Sequence, residues 1–372
     1  MKTIGLILNP VAGVGGPAGL KGSDGAEIQR LARELGIHSA VQRRTAVVLE
    51  RLAASGEDFR LLSAPGEMGE AAALAAGLQP EIVGEIEFGA TTAADTIRIA
   101  REMQAQGIDL LLFAGGDGTA RNIAEAVGTD QTVLGIPGGV KIHSGVYARN
   151  PASAAELAAR WLGGEAVETA EAEVMDIDED KFRDGVVDAR LYGYLKILRS
   201  PTLMQCCKSA GHSSIEALND IANEIVDYME EHDELRYVIG SGTTPRGIME
   251  LLGLPNTLLG VDVVEHGELL ASDVNEPQLF ELVNGHPAKI VLTVIGGQGH
   301  ILGRGNQQLS PRVLRAVGLE NLMIIADPDK LAGLPNRCLV VDSGDPELDK
   351  ALCGYRQIIT GAGQTTMMKI TT

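Results

Sequence analysis

The sequence has few aromatic and few basic residues, and both shortages limit its partners. Aromatic side chains make up 3% of 372 residues, and 31 Lys and Arg face 50 Asp and Glu, for a formal net charge of −19. Proteins that bind nucleic-acid backbones or anionic lipid need a dense Lys/Arg surface. We therefore expect no nucleic-acid partner and no membrane partner. Any anionic ligand must be captured by local contacts.

Cysteines and long hydrophobic runs are also scarce. The four cysteines, Cys206, Cys207, Cys338 and Cys353, form no Cys-x-x-Cys pair and have no histidines at metal-ligand spacing. No stretch reaches the roughly 18 uninterrupted apolar residues of a membrane helix, and the opening MKTIGLILNP is interpreted as a first strand, not an export signal. We expect a cytoplasmic protein with reduced thiols; a catalytic thiol at Cys206-Cys207 is the alternative.

Two common nucleotide-binding motifs are missing. The sequence contains no Walker pattern G-x-x-x-x-G-K-[ST], which excludes an ordinary P-loop enzyme. Gly13-x-Gly15 could begin a Rossmann fingerprint, but Pro17 interrupts its spacing and no acidic residue ends a second strand at the required place. Glycine itself is abundant, with 46 residues, and it is clustered.

Strand and helix signals alternate along the chain and predict an α/β fold. The stretch Ile108–Phe113 is apolar without alternation, as expected of a parallel strand buried on both faces. The length favours two domains. We expect a parallel-sheet domain over residues 1–165 and a second α/β-type domain over residues 166–372. Helices are predicted from Asp24 to Leu35 and from Thr92, where Asp95 completes a capping box.

Glycine-rich turns follow several predicted strands. They lie at Asn9–Gly19, Ala114–Thr119, Gly240–Pro245 and Gly296–Asn306. In an open parallel sheet, ligands bind outside the carboxyl ends of the strands, and glycine lets backbone N–H groups approach a phosphate closely. Taken singly, each turn is equally explained by the tolerance of glycine for positive φ. Their recurrence indicates phosphate binding.

The turn in LLFAGGDGTARN contains one carboxylate, Asp117. Three glycines surround it: Gly115, Gly116 and Gly118. A helix starting near Thr119 would aim free N–H groups at this turn, which favours an anion and disfavours a carboxylate. Asp117 suits the turn if it holds Mg²⁺ on a phosphate or takes a proton from an attacking hydroxyl. The alternative is that Asp117 only caps the helix.

These motifs resemble the NAD kinase superfamily, which also contains the diacylglycerol, sphingosine and 6-phosphofructo-kinases. The resemblance rests on GGDGT after a buried strand, on Asn9-Pro10 before a glycine loop, and on GIPGGVKIHSGVYA at Gly135–Ala148. The last stretch is similar to the ATP-NAD kinase branch associated with acetoin catabolism. The resemblance covers about the first 150 residues. It implies an NAD-kinase-like nucleotide-binding domain and a kinase that uses ATP or polyphosphate with Mg²⁺.

The resemblance also implies a reaction and its residues. NAD would be phosphorylated to NADP, a step of NADP biosynthesis, and Asp117 would act on the acceptor hydroxyl as base or metal-organising carboxylate. Residues expected to contact the nucleotide are Asn9, Gly13, Gly115, Gly116, Gly118, Thr119, Asn122 and Lys141. His143, in the same loop as Lys141, is a minor candidate for substrate contact. The metal ligands are not identified.

The second half departs from the pattern of these kinases, because residues 230–370 alternate strand and helix instead of forming a β-rich domain. YVIGSGTTPRGIMELL resembles the phosphate loop of sugar-phosphate isomerases and lactonases, and VIGGQGHILGRGNQQ offers further polar groups. We expect acceptor-binding residues in these two loops: Gly242, Thr243, Thr244, Gln298, Arg304 and Asn306.

Two other functions stay open. The chain could phosphorylate another small hydroxylated metabolite, or it could be a nucleotide-binding sensor without turnover. A lipid acceptor is disfavoured by the low aromatic content and by the negative charge. Assembly into a homo-oligomer also stays open.

Overall fold

Two mostly parallel sheets, each with helices between its strands, organise the chain. The computed structural model describes residues 1–14, 34, 39–138, 142–177, 189–200, 202–205, 215–257, 259–334 and 337–372. Glu34 apart, the described residues up to 205 form one unit and those from 215 onward form another. The predicted α/β fold with two such sheets is confirmed. Within these ranges, none of the helices has the length and apolar character needed to cross a membrane.

The first unit contains a seven-stranded sheet in the order β3-β2-β1-β4-β5-β7-β6. Its strands are β1 Lys2–Leu8, β2 Phe59–Ser63, β3 Glu81–Ile82, β4 Leu110–Gly115, β5 Thr132–Pro137, β6 Thr169–Ile177 and β7 Ala189–Leu198. All neighbours pair in parallel except β6 and β7, which are antiparallel. The central strands β1 and β4 are buried on both faces, as their apolar sequences require.

Helices cover this sheet and begin at recognisable caps. They are α1 Val41–Ala54, α2 Glu70–Ala75, α3 Ala93–Ala105, α4 Asp117–Val127 and α5 Pro151–Leu162. The predicted capping box of α3 is present, with Thr92 and Asp95 bonded reciprocally. The side chain of Asn150 caps α5 by accepting a hydrogen bond from Ser153 N–H, and Pro151 occupies the first helical position.

The second unit contains an eight-stranded sheet in the order β10-β9-β8-β11-β12-β14-β15-β13. Its strands are β8 Arg236–Ile239, β9 Asp262–Glu265, β10 Glu268–Ala271, β11 Ala288–Thr293, β12 Leu322–Ile325, β13 Cys338–Val340, β14 Gly354–Gly361 and β15 Gln364–Thr371. Its helices are α6 Ile215–Glu231, α7 Thr243–Leu251, α8 Glu276–Val283, α9 Pro311–Val317, α10 Pro328–Ala332 and α11 Pro346–Leu352. The inner strands β8, β11, β12 and β14 are parallel, and apolar clusters pack within this unit.

Some predicted elements have other bounds in the structure. The sequence predicts a strand near residues 81–87, but β3 ends at Ile82, and Gly84 follows with a φ of +79°, which an extended strand does not tolerate. The predicted helix over residues 24–35 lies outside the described residues except for Glu34. The domain division was placed at residue 165, whereas β6 and β7 follow that point and join the first sheet through β5.

Candidate active site

The predicted nucleotide motifs come together at the carboxyl ends of two adjacent strands. β1 and β4 pair in parallel with Leu8 opposite Ala114, and the N–H of Asn9 donates to the carbonyl oxygen of Ala114 over 2.9 Å. Helix α4 begins directly after β4, with Gly116 as its N-cap residue. Ligands of open α/β sheets bind at this edge, so the motifs lie where a nucleotide site is expected.

Asn9 joins the turn after β1 to the GGDGT turn. Its side-chain Nδ2 donates to Oγ1 of Thr119 over 3.0 Å, and its Oδ1 accepts from Val11 N–H over 3.2 Å. Thr119 is buried. The two residues predicted to contact nucleotide are therefore in contact with each other, and one function of the Asn9 amide is to hold the two turns together.

Close packing requires the first glycine of this motif, Gly115. A Cβ atom at Gly115 would lie 2.2 Å from Oγ1 of Thr119, which no real structure tolerates. The carbonyl of Gly115 also accepts from Gly138 N–H over 2.8 Å. The carbonyl of Gly116 accepts a hydrogen bond from the Tyr147 hydroxyl. The Cβ clash explains Gly115 without a ligand, while the N–H groups of the first turn of α4 point to the same edge of the sheet.

The Asp117 carboxylate accepts four hydrogen bonds from two consecutive residues. Oδ2 accepts from the backbone N–H of His143 over 2.8 Å and lies 3.1 Å from the ring Nδ1 of that residue. Oδ1 accepts from the backbone N–H of Ser144 over 3.0 Å and from its hydroxyl over 2.6 Å. The Asp117 side chain is 10% exposed and that of His143 is 4% exposed. The carboxylate is thus nearly buried, with two hydrogen-bond contacts at each oxygen.

This geometry decides between the earlier interpretations of Asp117. Although it is the first residue of α4, no side-chain hydrogen bond caps that helix, so Asp117 is not a helix cap. In the described part of the chain, no group of three or more His, Cys, Asp or Glu could hold a metal ion. Both oxygens of Asp117 face N–H and O–H donors, which a cation cannot replace without breaking them. The described residues therefore do not fit a resident Mg²⁺ on Asp117.

The remaining predicted nucleotide contacts are placed as follows. Gly13 lies in the turn after β1 with a φ of +84°, a conformation that favours glycine. Asn122 is buried in α4, one turn after Thr119. Gly118 belongs to the first turn of α4. Lys141 lies outside the described residues. The role of each in nucleotide binding stays a prediction.

In the second unit, the predicted acceptor loop after β8 opens helix α7. Gly242 is the N-cap of this helix, with a φ of +128°, and a Cβ atom there would lie 2.9 Å from Thr293 Cγ2. Thr243 is exposed, whereas Thr244 is buried and its hydroxyl accepts from Nζ of Lys330 over 2.9 Å. The sequence predicts a helix from Pro245, two residues later than observed, and gives no sign of Lys330, because a contact between α7 and α10 depends on the sheet order.

The other predicted acceptor loop lies beside the first. The hydroxyl of Ser241 donates to the carbonyl of Gly305 over 3.2 Å, which joins the two loops. The side chain of Asn306 is used within its own loop, with Oδ1 accepting from Gly303 N–H over 3.0 Å. Arg304 is buried 3.9 Å from Asp342, and Gln298 is also buried. Their acceptor-binding roles stay predictions.

Sequence reasoning missed the donors around Asp117. His143 was only a minor candidate, and Ser144 and Tyr147 were not singled out. They lie 26 to 31 residues from the groups they contact. The one sequence signal that could have found them is the resemblance of the stretch containing KIHSGVYA to the kinase branch. That resemblance identifies the segment but not the residues that it contacts.

Comparison with known proteins gives matches of two kinds. Two structures from Bacillus anthracis str. Sterne that carry the name putative diacylglycerol kinase match this chain. The first has 19% identity, covers 48% of this chain and 46% of its own, and has a TM-score of 0.24. The second has 20% identity, covers 46% of this chain and 40% of its own, and has a TM-score of 0.24. The chain therefore spans less than half the length of these structures. No curated protein matches the chain.

Family models match most of the chain. Residues 4–166 match the ATP-NAD kinase N-terminal domain, and residues 232–370 match the ATP-NAD kinase C-terminal domain. The expectation that the rest of the chain resembles this family poorly was therefore wrong: residues 232–370 match as well, although their strands alternate with helices. The chain belongs to the ATP-NAD kinase family.

Proposed function

We propose that the chain is a kinase that transfers a phosphoryl group from ATP or polyphosphate to a hydroxyl of a small molecule. NAD is the favoured acceptor and NADP the product. The observation that carries the proposal is the match of both ATP-NAD kinase domains, in order, to one chain whose GGDGT turn lies at the carboxyl edge of the first sheet. Phosphotransferases with an alcohol acceptor are what these domains indicate.

The donor phosphates are proposed to bind at the start of α4. Free backbone N–H groups and the helix dipole favour an anion there, and the glycines keep side chains out of the way. Asn9, Gly13, Thr119, Asn122 and Lys141 are the proposed further contacts. Because the net charge is −19, such local donors must outweigh a repulsive general field.

Asp117 is proposed to align the acceptor hydroxyl and to take its proton as the phosphoryl group moves. Its carboxylate supplies a negative charge in a fixed direction, and a tenth of the side chain stays exposed to a substrate. Positioning and electrostatics account for most of the acceleration in phosphoryl transfer. Mg²⁺ is proposed to enter with the nucleotide, whose phosphates supply part of its coordination.

A kinase of another small hydroxylated metabolite is the second candidate. It is favoured by the second unit, where a buried Thr244–Lys330 contact and an uncapped helix start lie at the carboxyl edge of the parallel strands. The proposed acceptor contacts there are Gly242, Thr243, Thr244, Gln298, Arg304 and Asn306.

A matrix of donors and acceptors tests these proposals. The purified protein is incubated with Mg²⁺ and either ATP or polyphosphate, with NAD, NADH or a set of sugars and polyols, and the products are separated by chromatography. A phosphorylated NAD supports the first candidate, and a phosphorylated metabolite supports the second. Nucleotide binding without any product would contradict both and indicate a sensor.

A further inference from the structure

His143 and Ser144 surround the Asp117 carboxylate with more hydrogen bonds than a base exposed to solvent requires. Each oxygen of the Asp117 carboxylate has two hydrogen-bond contacts, and all four come from His143 and Ser144. We infer that His143 and Ser144 are positioning residues, which hold the Asp117 carboxylate in one orientation for phosphoryl transfer. The inference rests on the proposed function, because the orientation matters through that reaction.

The contact with the histidine ring defines its protonation pattern. An ionised carboxylate only accepts hydrogen bonds, so the ring Nδ1, 3.1 Å from Oδ2 of Asp117, must carry a proton. The same oxygen accepts the backbone N–H of His143 over 2.8 Å, so the residue holds it with two donors. With a ring only 4% exposed, water does not compete for this contact.

The hydroxyl of Ser144 has a single proton, and its surroundings direct that proton to Asp117. The backbone N–H of Met175 donates to Oγ of Ser144 over 2.9 Å and occupies one of its lone pairs. Two acceptors then compete for the proton, the Asp117 oxygen at 2.6 Å and the Met175 carbonyl at 3.2 Å. The hydroxyl therefore donates to the Asp117 oxygen, which is closer and charged, because charge-assisted hydrogen bonds are shorter and stronger.

The segment that carries these donors is held independently of Asp117. The N–H of Gly145 donates to the Glu173 carbonyl over 2.9 Å, which attaches the segment to strand β6. Nε2 of Gln205 donates to the carbonyl of Ser144 over 3.0 Å. Both Ser144 and Gln205 are buried. The donors are therefore in place before a substrate binds, which is the arrangement that fixes a catalytic group without reorganisation.

A pair of substitutions at His143 separates positioning from proton transfer. Asparagine in H143N places an N–H donor close to the position of Nδ1 but cannot take up a proton, whereas H143A has no donor. We expect H143A to lower kcat about 10- to 100-fold with little change in the KM for ATP. H143N should recover most of that loss. The variant H232N, which changes an exposed histidine of the second unit, is the matched control.

Two kinetic outcomes overturn the inference. If H143N loses as much activity as H143A, the ring does something that asparagine cannot, and positioning is not its role. If H143A keeps the wild-type kcat, the contact has no part in the reaction.

A spectroscopic measurement keeps the inference separate from the kinase activity. Long-range ¹H–¹⁵N spectra of protein labelled at histidine distinguish the Nδ1–H from the Nε2–H tautomer. We expect a Nδ1–H signal that disappears in H143N and changes in D117N. An Nε2–H tautomer at His143 overturns the inference even in an active kinase. An Nδ1–H signal in a protein without kinase activity contradicts the proposed function and leaves the geometry of Asp117 supported.

Discussion

At the scale of single residues, the site depends on one carboxylate and on the atoms that face it. Replacing Asp117 by asparagine puts an amide N–H₂ where two backbone N–H groups and a hydroxyl now donate. A backbone N–H group can only donate a hydrogen bond. In either orientation, the new amide N–H₂ would therefore face the N–H of His143 or of Ser144, and two donors would oppose each other. We expect D117N to lose turnover by about 10²- to 10⁴-fold and to lose about 1–3 kcal/mol of stability.

Steady-state kinetics and chemical denaturation of D117N measure the two effects. D130N is the control, since Asp130 is an exposed carboxylate of the same unit in the turn after α4. Near-normal activity of D117N would show that Asp117 does not act on the acceptor hydroxyl. An unchanged stability would show that its four hydrogen bonds are not formed in solution.

The first glycine of the GGDGT turn provides a second residue-scale prediction. A methyl group at Gly115 would lie 2.2 Å from the Thr119 hydroxyl, so G115A must displace Thr119 and, through it, the Asn9 amide. We expect a loss of about 1–3 kcal/mol and weaker ATP binding, measured by denaturation and calorimetry. G193A, at a glycine with open space around it, should lose neither. Equal behaviour of the two variants would contradict the packing argument.

Some residues of the site could be predicted from local sequence patterns, and others could not. Asn9 and the GGDGT turn could be predicted, because each follows a buried strand and parallel strands end at one edge. His143 and Ser144 could not, because their contact with Asp117 requires the loop after β5 to fold back against β6 and Gln205. No local pattern specifies such a return.

At the scale of helices and strands, a partly buried ion pair between Glu276 and Arg312 joins α8 to α9. Burial of Glu276 would raise the pKa of its carboxyl, but hydrogen bonds from Arg312 and from Ser310 outweigh burial and lower the pKa below its usual value. Nε of Arg312 donates over 2.6 Å, and Ser310 is the N-cap residue of α9. The pair therefore stabilises the helix pair as long as Glu276 is ionised.

The sign of the pH dependence follows from that lowered pKa. The stabilisation is fully present above the unfolded-state pKa of about 4.3 and is lost as the pH falls through the lower folded-state pKa. We expect E276Q to be less stable than wild type at neutral pH by about 1–2 kcal/mol. The difference should shrink in acid, as measured by denaturation at several pH values.

An exposed ion pair is the control for this prediction. Glu250 pairs with Arg246 one turn earlier on α7, with both side chains about half exposed. Such pairs contribute little, so E250Q should be as stable as wild type at each pH. A deficit of E276Q that stays constant down to acid pH would contradict the role of its charge.

Helices and strands were predicted well where burial or a cap gives the sequence a recognisable pattern. They were predicted poorly where a strand is defined mainly by its pairing with a neighbouring strand. The apolar strands β1 and β4 and the capped helices α3 and α5 carry their own signals. The hairpin of β6 and β7 does not, since TAEAEVMDI is an acidic edge strand. Its sequence predicts a solvated strand edge or a crossover, or alternatively a metal-binding cluster at Asp176, Asp178 and Asp180. The hairpin of β14 and β15 was missed for a similar reason: much of β15 is exposed.

At the scale of the whole molecule, the charge of −19 disfavours binding to extended anionic surfaces, whereas a small anion can be held by local donors. We expect the protein to stay in the supernatant when mixed with phosphatidylglycerol vesicles or with duplex DNA at about 150 mM salt. Sedimentation with the vesicles, with neutral phosphatidylcholine vesicles as control, would contradict this expectation and reopen a lipid acceptor.

The most direct test of the central claim is the formation of NADP from NAD. Purified wild-type protein and D117N are incubated with NAD and the magnesium complex of ATP, and NADP and ADP are quantified together by chromatography. We expect NADP and ADP in equal amounts from the wild type and at most traces from D117N. ADP formed without NADP, or NADP formed equally by both proteins, would contradict a kinase that phosphorylates NAD through Asp117.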